Sequence, residues 1–241
     1  MMNFKFLAIG LFMATLPTNF LSAQDLYETD SIQEMHITFS QSNWDYLLDS
    51  LMNVGDDRLM AQSVVINGVS FDSAGVRFKG NSSYQPNNIK NPLNVKLSYL
   101  KDQDYDGYQT FKLSSGFKDP SFAREVYAYE IARNYMVAPK ANFINVYING
   151  NLYGLFTNVE PVNKDFLENH FSSNDNILFK CDGDFSAPPT PNPACPLGVH
   201  GSSLQFRGLD STCYFSSYEM KRLYGWNALV NTCDVLSNQP N

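Results

Sequence analysis

The sequence predicts an α+β fold in which an antiparallel sheet carries a packed helix. Short runs that alternate apolar and polar residues recur between residues 34 and 159, as expected for half-buried strands. Asn-Gly pairs at 67–68 and 149–150 separate two pairs of such runs, and this dipeptide is the strongest short signal for a β-hairpin. Other segments instead repeat their apolar residues at helical spacing.

These patterns assign elements along the chain. Strands are expected over residues 34–40, 62–66, 69–71, 74–78, 92–99, 108–113, 141–149, 151–159 and 176–180. Helices are expected over residues 44–51, 122–135, 161–171 and 216–237. The acidic run 102–107 is interpreted as a hairpin turn, because a calcium-binding loop needs a carboxylate at its twelfth position, where this chain has Leu113.

The charge balance restricts the classes of partner. The chain has 241 residues and is acidic, with 17 lysines and arginines against 24 aspartates and glutamates. Basic residues are scattered, with a modest excess near Arg77, Lys79, Lys90 and Lys96. A nucleic acid is therefore excluded as the main partner, because binding one requires a basic surface that neutralises several phosphates.

The first 23 residues have the features of a secretory signal peptide. Lys5 provides the positive start, residues 6–16 are apolar, and Leu21-Ser22-Ala23 offers a cleavage site of small residues. A membrane anchor is the alternative, but the apolar run is too short to cross about 30 Å of hydrocarbon. We therefore expect a secreted or cell-surface protein whose mature chain has no transmembrane span.

Four cysteines remain after the predicted cleavage: Cys181, Cys195, Cys213 and Cys233. In an exported protein this even number permits two disulfides, with three possible pairings. A zinc site is the competing interpretation, and the absence of any C-x-x-C motif disfavours it. Residues 181–215 are also rich in proline, which predicts an exposed loop flanked by cysteines.

A turn with possible phosphate-binding chemistry follows the strand that ends at residue 78. Gly80, Asn81, Ser82 and Ser83 form this turn, and glycine allows an anion to approach the backbone closely. Arg77 and Lys79 are two residues apart in an extended run, so both side chains face the same side. A plain hairpin turn would explain the same residues.

Seven segments taken together resemble the CotH (spore coat protein H) kinase family of secreted, atypical kinase-like proteins. They are GVRFKGNSS (75–83), KNPLNVKL (90–97), FKDPSFARE (117–125), VYINGNLYGL (146–155), NVE (158–160), DFL (165–167) and SLQFRG (203–208). The resemblance implies a protein-kinase-like N-lobe over residues 24–180, and then the proline-rich loop over 181–215. A helix over 216–241 would lead to a C-lobe outside this chain.

The resemblance also implies roles for individual residues. The turn of Gly80, Asn81, Ser82 and Ser83 would cover the phosphates of ATP bound with Mg²⁺. Lys96 would bind phosphate and pair with a helix carboxylate, either Glu125 or Glu130, while Arg77 and Lys79 add positive charge. Glu160 would lie near the adenine. Solvent-facing strand and helix positions are the alternative explanation for Lys96 and for the two helix carboxylates.

The family resemblance implies ATP-dependent phosphorylation of serine or threonine in secreted or surface proteins. That reaction requires an aspartate that orients the acceptor hydroxyl and ligands for magnesium, which in this family follow the last predicted helix. We therefore assign no catalytic residue and no metal ligand within these 241 residues, and we expect this chain to be catalytically incomplete. A non-catalytic adhesion or assembly module on the same scaffold is the alternative.

Overall fold

The structure is a computed structural model that describes residues 25–52, 54–55, 57–181, 195, 202–221 and 224–238. The predicted signal peptide and most of the proline-rich loop lie outside the described residues. The strands are β1 (Ile32–Thr38), β2 (Leu59–Met60), β3 (Ser63–Ile66), β4 (Val69–Phe71), β5 (Gly75–Phe78), β6 (Leu93–Lys96), β7 (Thr110–Ser114), β8 (Ala141–Ile148), β9 (Asn151–Val159), β10 (Phe179–Cys181) and β11 (Tyr218–Met220). The helices are α1 (Trp44–Leu51), α2 (Arg124–Arg133), α3 (Lys164–Phe171) and α4 (Trp226–Asn238).

Nine of these strands form one large curled sheet, in the order β2-β5-β6-β7-β9-β8-β1-β3-β4. Neighbouring strands are antiparallel except β1 and β8, which are parallel. Both predicted Asn-Gly hairpins are confirmed, since Asn67, Gly68, Asn149 and Gly150 all have the positive φ that this turn requires. The α+β class predicted from the sequence is therefore confirmed.

The main core lies on one face of this sheet. Val76, Val95 and Phe111 occupy one row across β5, β6 and β7, and each is fully buried. Helix α1 covers part of this face and contributes the buried Leu48. Complete burial of one such side chain contributes roughly 1.5–3 kcal/mol, so this face supplies much of the stability of the sheet.

Helix α2 packs on the opposite face of the same sheet. Val126 is fully buried there against Ala141 of β8 and Val159 of β9. Asp119 stabilises the start of the helix, because its carboxylate accepts hydrogen bonds from the backbone N–H groups of Ser121 and Arg124. Alternate residues of β5, β6 and β7 therefore point either into the core or towards the side on which α2 lies.

The acidic run 102–107 forms the predicted hairpin turn. Tyr105 and Tyr108 pair across it, and the Asp104 carboxylate accepts a hydrogen bond of 2.8 Å from the backbone N–H of Gly107. Asp106 and Gly107 both have positive φ, which closes the turn tightly. No helix among the described residues is long and apolar enough to cross a membrane.

The segment predicted as a helix over 216–237 is only partly helical. Residues Tyr218–Met220 form β11, which pairs with β10, and α4 begins at Trp226 after Gly225 with φ +135°. The helix prediction is wrong for residues 218–220, because pairing with β10 buries Tyr218 and outweighs the helical preference of this segment. A second, smaller core forms around Tyr218 and includes Tyr214 and Leu229.

One disulfide links Cys195 to Cys213 in this second core. This bond selects one of the three pairings that the sequence left open. Cys181 and Cys233 are present as thiols, and Cys181 is exposed whereas Cys233 is buried. The prediction of disulfide chemistry is thus confirmed for one pair of cysteines.

Candidate functional site

The side of the sheet that carries α2 also carries a row of polar residues on three neighbouring strands. Arg77 of β5, Asn94 of β6 and Lys112 of β7 lie directly opposite one another. The Arg77 guanidinium donates a hydrogen bond of 2.9 Å to the backbone carbonyl of Gly55. Arg58 donates to the side-chain oxygen of Asn94 at 3.1 Å. Cationic side chains are thus concentrated on one face of an otherwise acidic protein.

Lys79 and Glu125 are joined through the hydroxyl of Ser114. The Lys79 ammonium donates to the Ser114 oxygen over 3.3 Å, and the same hydroxyl donates to the Glu125 carboxylate over 3.3 Å. Sheet and helix position these groups, since Ser114 ends β7 and Glu125 lies in the first turn of α2. The structure therefore brings together two of the residues predicted from the sequence, and adds a serine that sequence reasoning did not consider.

Burial shifts the pKa of both Lys79 and Glu125. Desolvation lowers the pKa of Lys79, while the Glu125 carboxylate opposes that shift and the Lys112 ammonium adds to it. Desolvation also raises the pKa of Glu125, while the Ser114 hydrogen bond and the Lys79 charge oppose the increase. Each group thus stabilises the charged form of the other in a setting that disfavours both charges.

Lys112 is a second lysine of this face, and sequence reasoning did not select it. Desolvation lowers its pKa, and three further cations lower it more: Lys180, Lys221 and Arg77. Lys180 belongs to β10 and Lys221 follows β11, so the small two-stranded sheet brings positive charge towards the main sheet. Several cations that disfavour one another's charge form a natural site for an anion.

Lys96 lies at the other end of the same face. It is half-buried and pairs with Gly75 and Thr110, whereas the backbone N–H of Lys79 bonds to the carbonyl of Pro92. Lys79 therefore lies beside residue 92, four residues along the strand from Lys96, and this spacing corresponds to roughly 13 Å. Lys79, rather than Lys96, is the lysine that lies beside a carboxylate of α2.

The two helix carboxylates considered from the sequence have different surroundings. Glu125 is half-buried and faces Ser114, whereas Glu130 is exposed. Their spacing explains this difference, because five residues correspond to about 500° of helical rotation, which places the two side chains on different sides of α2. Glu125 is therefore the helix carboxylate that belongs to this site.

The turn after β5 lies beside a cavity of about 480 Å³. Gly80 has φ +102°, a left-handed conformation that strains any residue with a side chain, and a Cβ there would also displace the Ser83 hydroxyl. Asn81 and Ser82 are exposed at the tip of the turn. The cavity is lined by Ser83, Ser114, Ser115, Gly116, Phe117, Lys118, Asp119, Arg124, Glu125, Ala128 and Thr157. The turn and the Ser114–Glu125 pair therefore border one space.

Glu160 follows β9 and is buried, with only 1% of its side chain exposed. Its carboxylate accepts a hydrogen bond of 3.0 Å from the backbone N–H of Lys140 and lies 3.2 Å from the ring nitrogen Nε2 of His170. Burial and the Glu160 carboxylate both contribute to the raised pKa of Tyr108. The structure thus places Glu160 in a buried polar cluster between β8, β9 and α3.

The described residues offer no cluster of side chains that could bind a metal ion by themselves. No group of three or more histidine, cysteine, aspartate or glutamate side chains is arranged there to hold a metal ion. The cations described above instead suit a negatively charged ligand. Any divalent cation at this face would depend on that ligand for most of its coordination.

The model of the CotH kinase protein family matches residues 76–220, which is more than half of the chain and extends from the second residue of β5 to the end of β11. The chain belongs to the CotH family. A search of curated proteins found no match. The resemblance drawn from the sequence motifs is thus confirmed.

The CotH match includes the residues that form the cationic face. Arg77, Lys79, Lys112 and Glu125 all lie within it, as do the turn after β5 and the cavity-lining loop that precedes α2. One sequence signal was available for Lys112. It stands between Phe111 and Leu113 in an alternating run, which assigns it to the polar side of β7.

Proposed function

We propose that this CotH-family chain binds ATP, together with Mg²⁺, on the cationic face formed by β5, β6 and β7. Binding would serve phosphorylation of serine or threonine in secreted or surface proteins. The observation that carries the proposal is the contact of Lys79 with Glu125 through Ser114, beside the glycine turn and its cavity. A half-buried lysine linked through a serine hydroxyl to a helix carboxylate suits a site that positions phosphate charge.

The order of the elements supports this proposal. In protein kinases a glycine-rich loop covers the phosphates, and a lysine of the third strand pairs with a glutamate of the following helix. Counted from the strand before the glycine turn, the third strand here is β7, which carries Lys112 and leads into α2 with Glu125. We propose that Lys79 and Lys112 both contact phosphate oxygens, with Arg77 beside them.

The remaining predicted residues take outer positions in the proposed site. Asn81, Ser82 and Ser83 would offer hydroxyl, amide and backbone N–H groups above the phosphates. Lys96 would act over a longer distance through its charge, and Glu160 would hold the end of β9, where the adenine is expected. Mg²⁺ would arrive with the nucleotide phosphates, and the acceptor-orienting aspartate is expected from a C-lobe.

Titration of the chain with MgATP by calorimetry tests the proposal. Lys79→Met and Lys112→Met should each weaken binding by roughly 10- to 100-fold, the range for one lost charged hydrogen bond. Lys101→Met is the matched control, because Lys101 is exposed and pairs with Asp72 on a distant turn. Lys96→Met should have a smaller effect than either site variant. Equal affinities for all of these proteins would rule out the proposed site.

A non-catalytic adhesion or assembly module remains a second candidate function. Apolar side chains are exposed along α2 and just after it, including Ile131, Tyr135 and Met136. Exposed apolar patches of this kind often mark protein-binding surfaces. If this function is the main one, Ile131→Ser with Tyr135→Ser should abolish attachment to a partner or cell surface. The wild-type chain would then show no measurable affinity for MgATP.

A further inference from the structure

Residues at the start of β10 and at the start of α4 both pack in the second core, and two contacts join these segments. Tyr224 lies two residues before α4, and its hydroxyl donates a hydrogen bond to the carbonyl of Asp175, four residues before β10. Further along both segments, the rings of Phe179 and Trp226 pack edge to face with centroids 5.0 Å apart. The two contacts occur in the same order along both segments, so we take β10 and α4 to run in the same direction from here.

One cysteine follows this contact on each element. Cys181 is two residues beyond Phe179, so it faces the same side of β10 about 7 Å further along. Cys233 is seven residues beyond Trp226, so it returns to the same face of α4 about 10 Å further along. Side chains on a helix tilt towards its N-terminus, which brings the Cys233 sulfur back towards the level of Cys181.

The charge of Cys181 acts on Cys233 within this core. Burial raises the pKa of Cys233, the Arg207 guanidinium opposes the shift, and the charge of Cys181 adds to it. Tyr218 lies directly opposite Cys181 in the pairing of β10 with β11, and its pKa, raised mainly by burial, also responds to both cysteines. Both thiols therefore border the same few side chains.

We infer that Cys181 and Cys233 form a second disulfide, which ties β10 to α4. The Cys195–Cys213 bond excludes the two other pairings of four cysteines, so these two thiols are the remaining partners for each other. The new bond would enclose the first one in the sequence.

A small-molecule disulfide such as oxidised glutathione supplies the oxidising equivalents. The exposed Cys181 thiolate attacks one glutathione sulfur, which breaks the glutathione disulfide and releases one glutathione thiolate that takes up a proton. The Cys233 thiolate then attacks the Cys181 sulfur and releases the second glutathione. The two cysteines thus lose two electrons and two protons, and both glutathione molecules leave as thiols.

Peptide mapping of the full chain tests this bond. The chain is incubated with oxidised glutathione, alkylated under denaturing conditions and cleaved after lysine and arginine. The expected product contains three peptides, 181–207, 208–221 and 223–241, which separate only on reduction. Further cleavage before the aspartates at 182 and 184 separates Cys181 from Cys195 and identifies the partner of Cys233.

Thermal unfolding and a cysteine variant test the bond independently of the peptide map. The bond closes a long loop, so oxidation should raise the Tm by roughly 5 °C or more. In Cys181→Ser, a change at an exposed position, this increase should vanish and Cys233 should be alkylated. Glutathione retained on Cys181 with Cys233 alkylated, or only the two-peptide product of 181–207 with 208–221, would overturn the inference.

Discussion

Lys79 and Glu125 lie on different elements, and the Ser114 hydroxyl is the group that connects them. The lysine follows β5, the glutamate lies in the first turn of α2, and the serine ends β7, the second of the two strands between them in the sequence. The cluster therefore depends on β7 and α2 keeping one relative position. Ligand binding at this face and the docking of α2 should influence each other.

Removal of the Glu125 charge should change the titration of Lys79. Glu125→Gln leaves burial and Lys112 acting on the ammonium, so the pKa of Lys79 should fall further below the ordinary lysine value. More neutral amine should then be present at pH 8 to 9, and Lys79 should react faster with an acylating reagent, as measured by mass spectrometry. Glu130→Gln, at an exposed position of the same helix, should leave the Lys79 rate unchanged.

Loss of the bridging hydroxyl should destabilise the fold modestly. Ser114→Ala removes the acceptor of Lys79 and the donor to Glu125, and it should lower the free energy of unfolding by about 1–3 kcal/mol. Urea unfolding followed by tryptophan fluorescence measures the change. Ser115→Ala, at a neighbouring residue that lines the same cavity, should change stability by less than about 0.5 kcal/mol. Equal losses for both variants would show that the bridge contributes nothing.

Lys112 should reduce stability at neutral pH. Its folded-state pKa lies below the unfolded value, because burial and neighbouring cations disfavour the charge. The penalty is complete at low pH and disappears as pH rises through the folded and then the unfolded pKa. Lys112→Met should therefore be more stable than wild type at pH 7.

The advantage of Lys112→Met should shrink as the pH approaches the ordinary lysine value of about 10.4. Thermal unfolding at a series of pH values measures this difference. Lys101→Met, at an exposed pair, should show no corresponding trend. An advantage that stays constant with pH would mean that methionine improves apolar packing and that the lysine charge carries no penalty.

Glu160 should stabilise the fold whether or not nucleotide is bound. Glu160→Ala removes a buried carboxylate and leaves the half-buried Lys140 N–H without its acceptor, so it should destabilise the protein by about 2–3 kcal/mol. Glu168→Ala, at an exposed position of α3, should have little effect on the urea midpoint. A normal midpoint for Glu160→Ala would contradict the structural role of this carboxylate.

Local sequence patterns predicted most elements but not the arrangement of the site. Alternation places Phe111 and Leu113 on one side of β7 and Lys112 on the other, and the structure follows this pattern. The distance of Lys96 from α2 depends on which end of β6 lies near that helix, and short sequence motifs carry no information about this. Ser114 became relevant only once β7 and α2 were positioned, since it belongs to no recognisable motif.

The region after residue 215 shows where periodicity misleads. Apolar residues at helical spacing extend through Trp226 and Leu229, and the helix there is real. The upstream residues with the same spacing instead form β11, because they pair with the strand at residues 179–181. Pairing between segments some forty residues apart is a tertiary effect, and no local window can reveal it.

The parallel pair of β1 with β8 has a consequence for the order of folding. Strand β1 lies between β8 and β3 in the sheet, and the Asn149 side chain also accepts a hydrogen bond of 2.7 Å from the backbone N–H of Phe39. During synthesis, β1 and β3 leave the ribosome early, and about eighty further residues must be made before β8 can pair with β1. Contacts this distant in sequence slow folding, and they leave the edge of β1 open to other chains in the meantime.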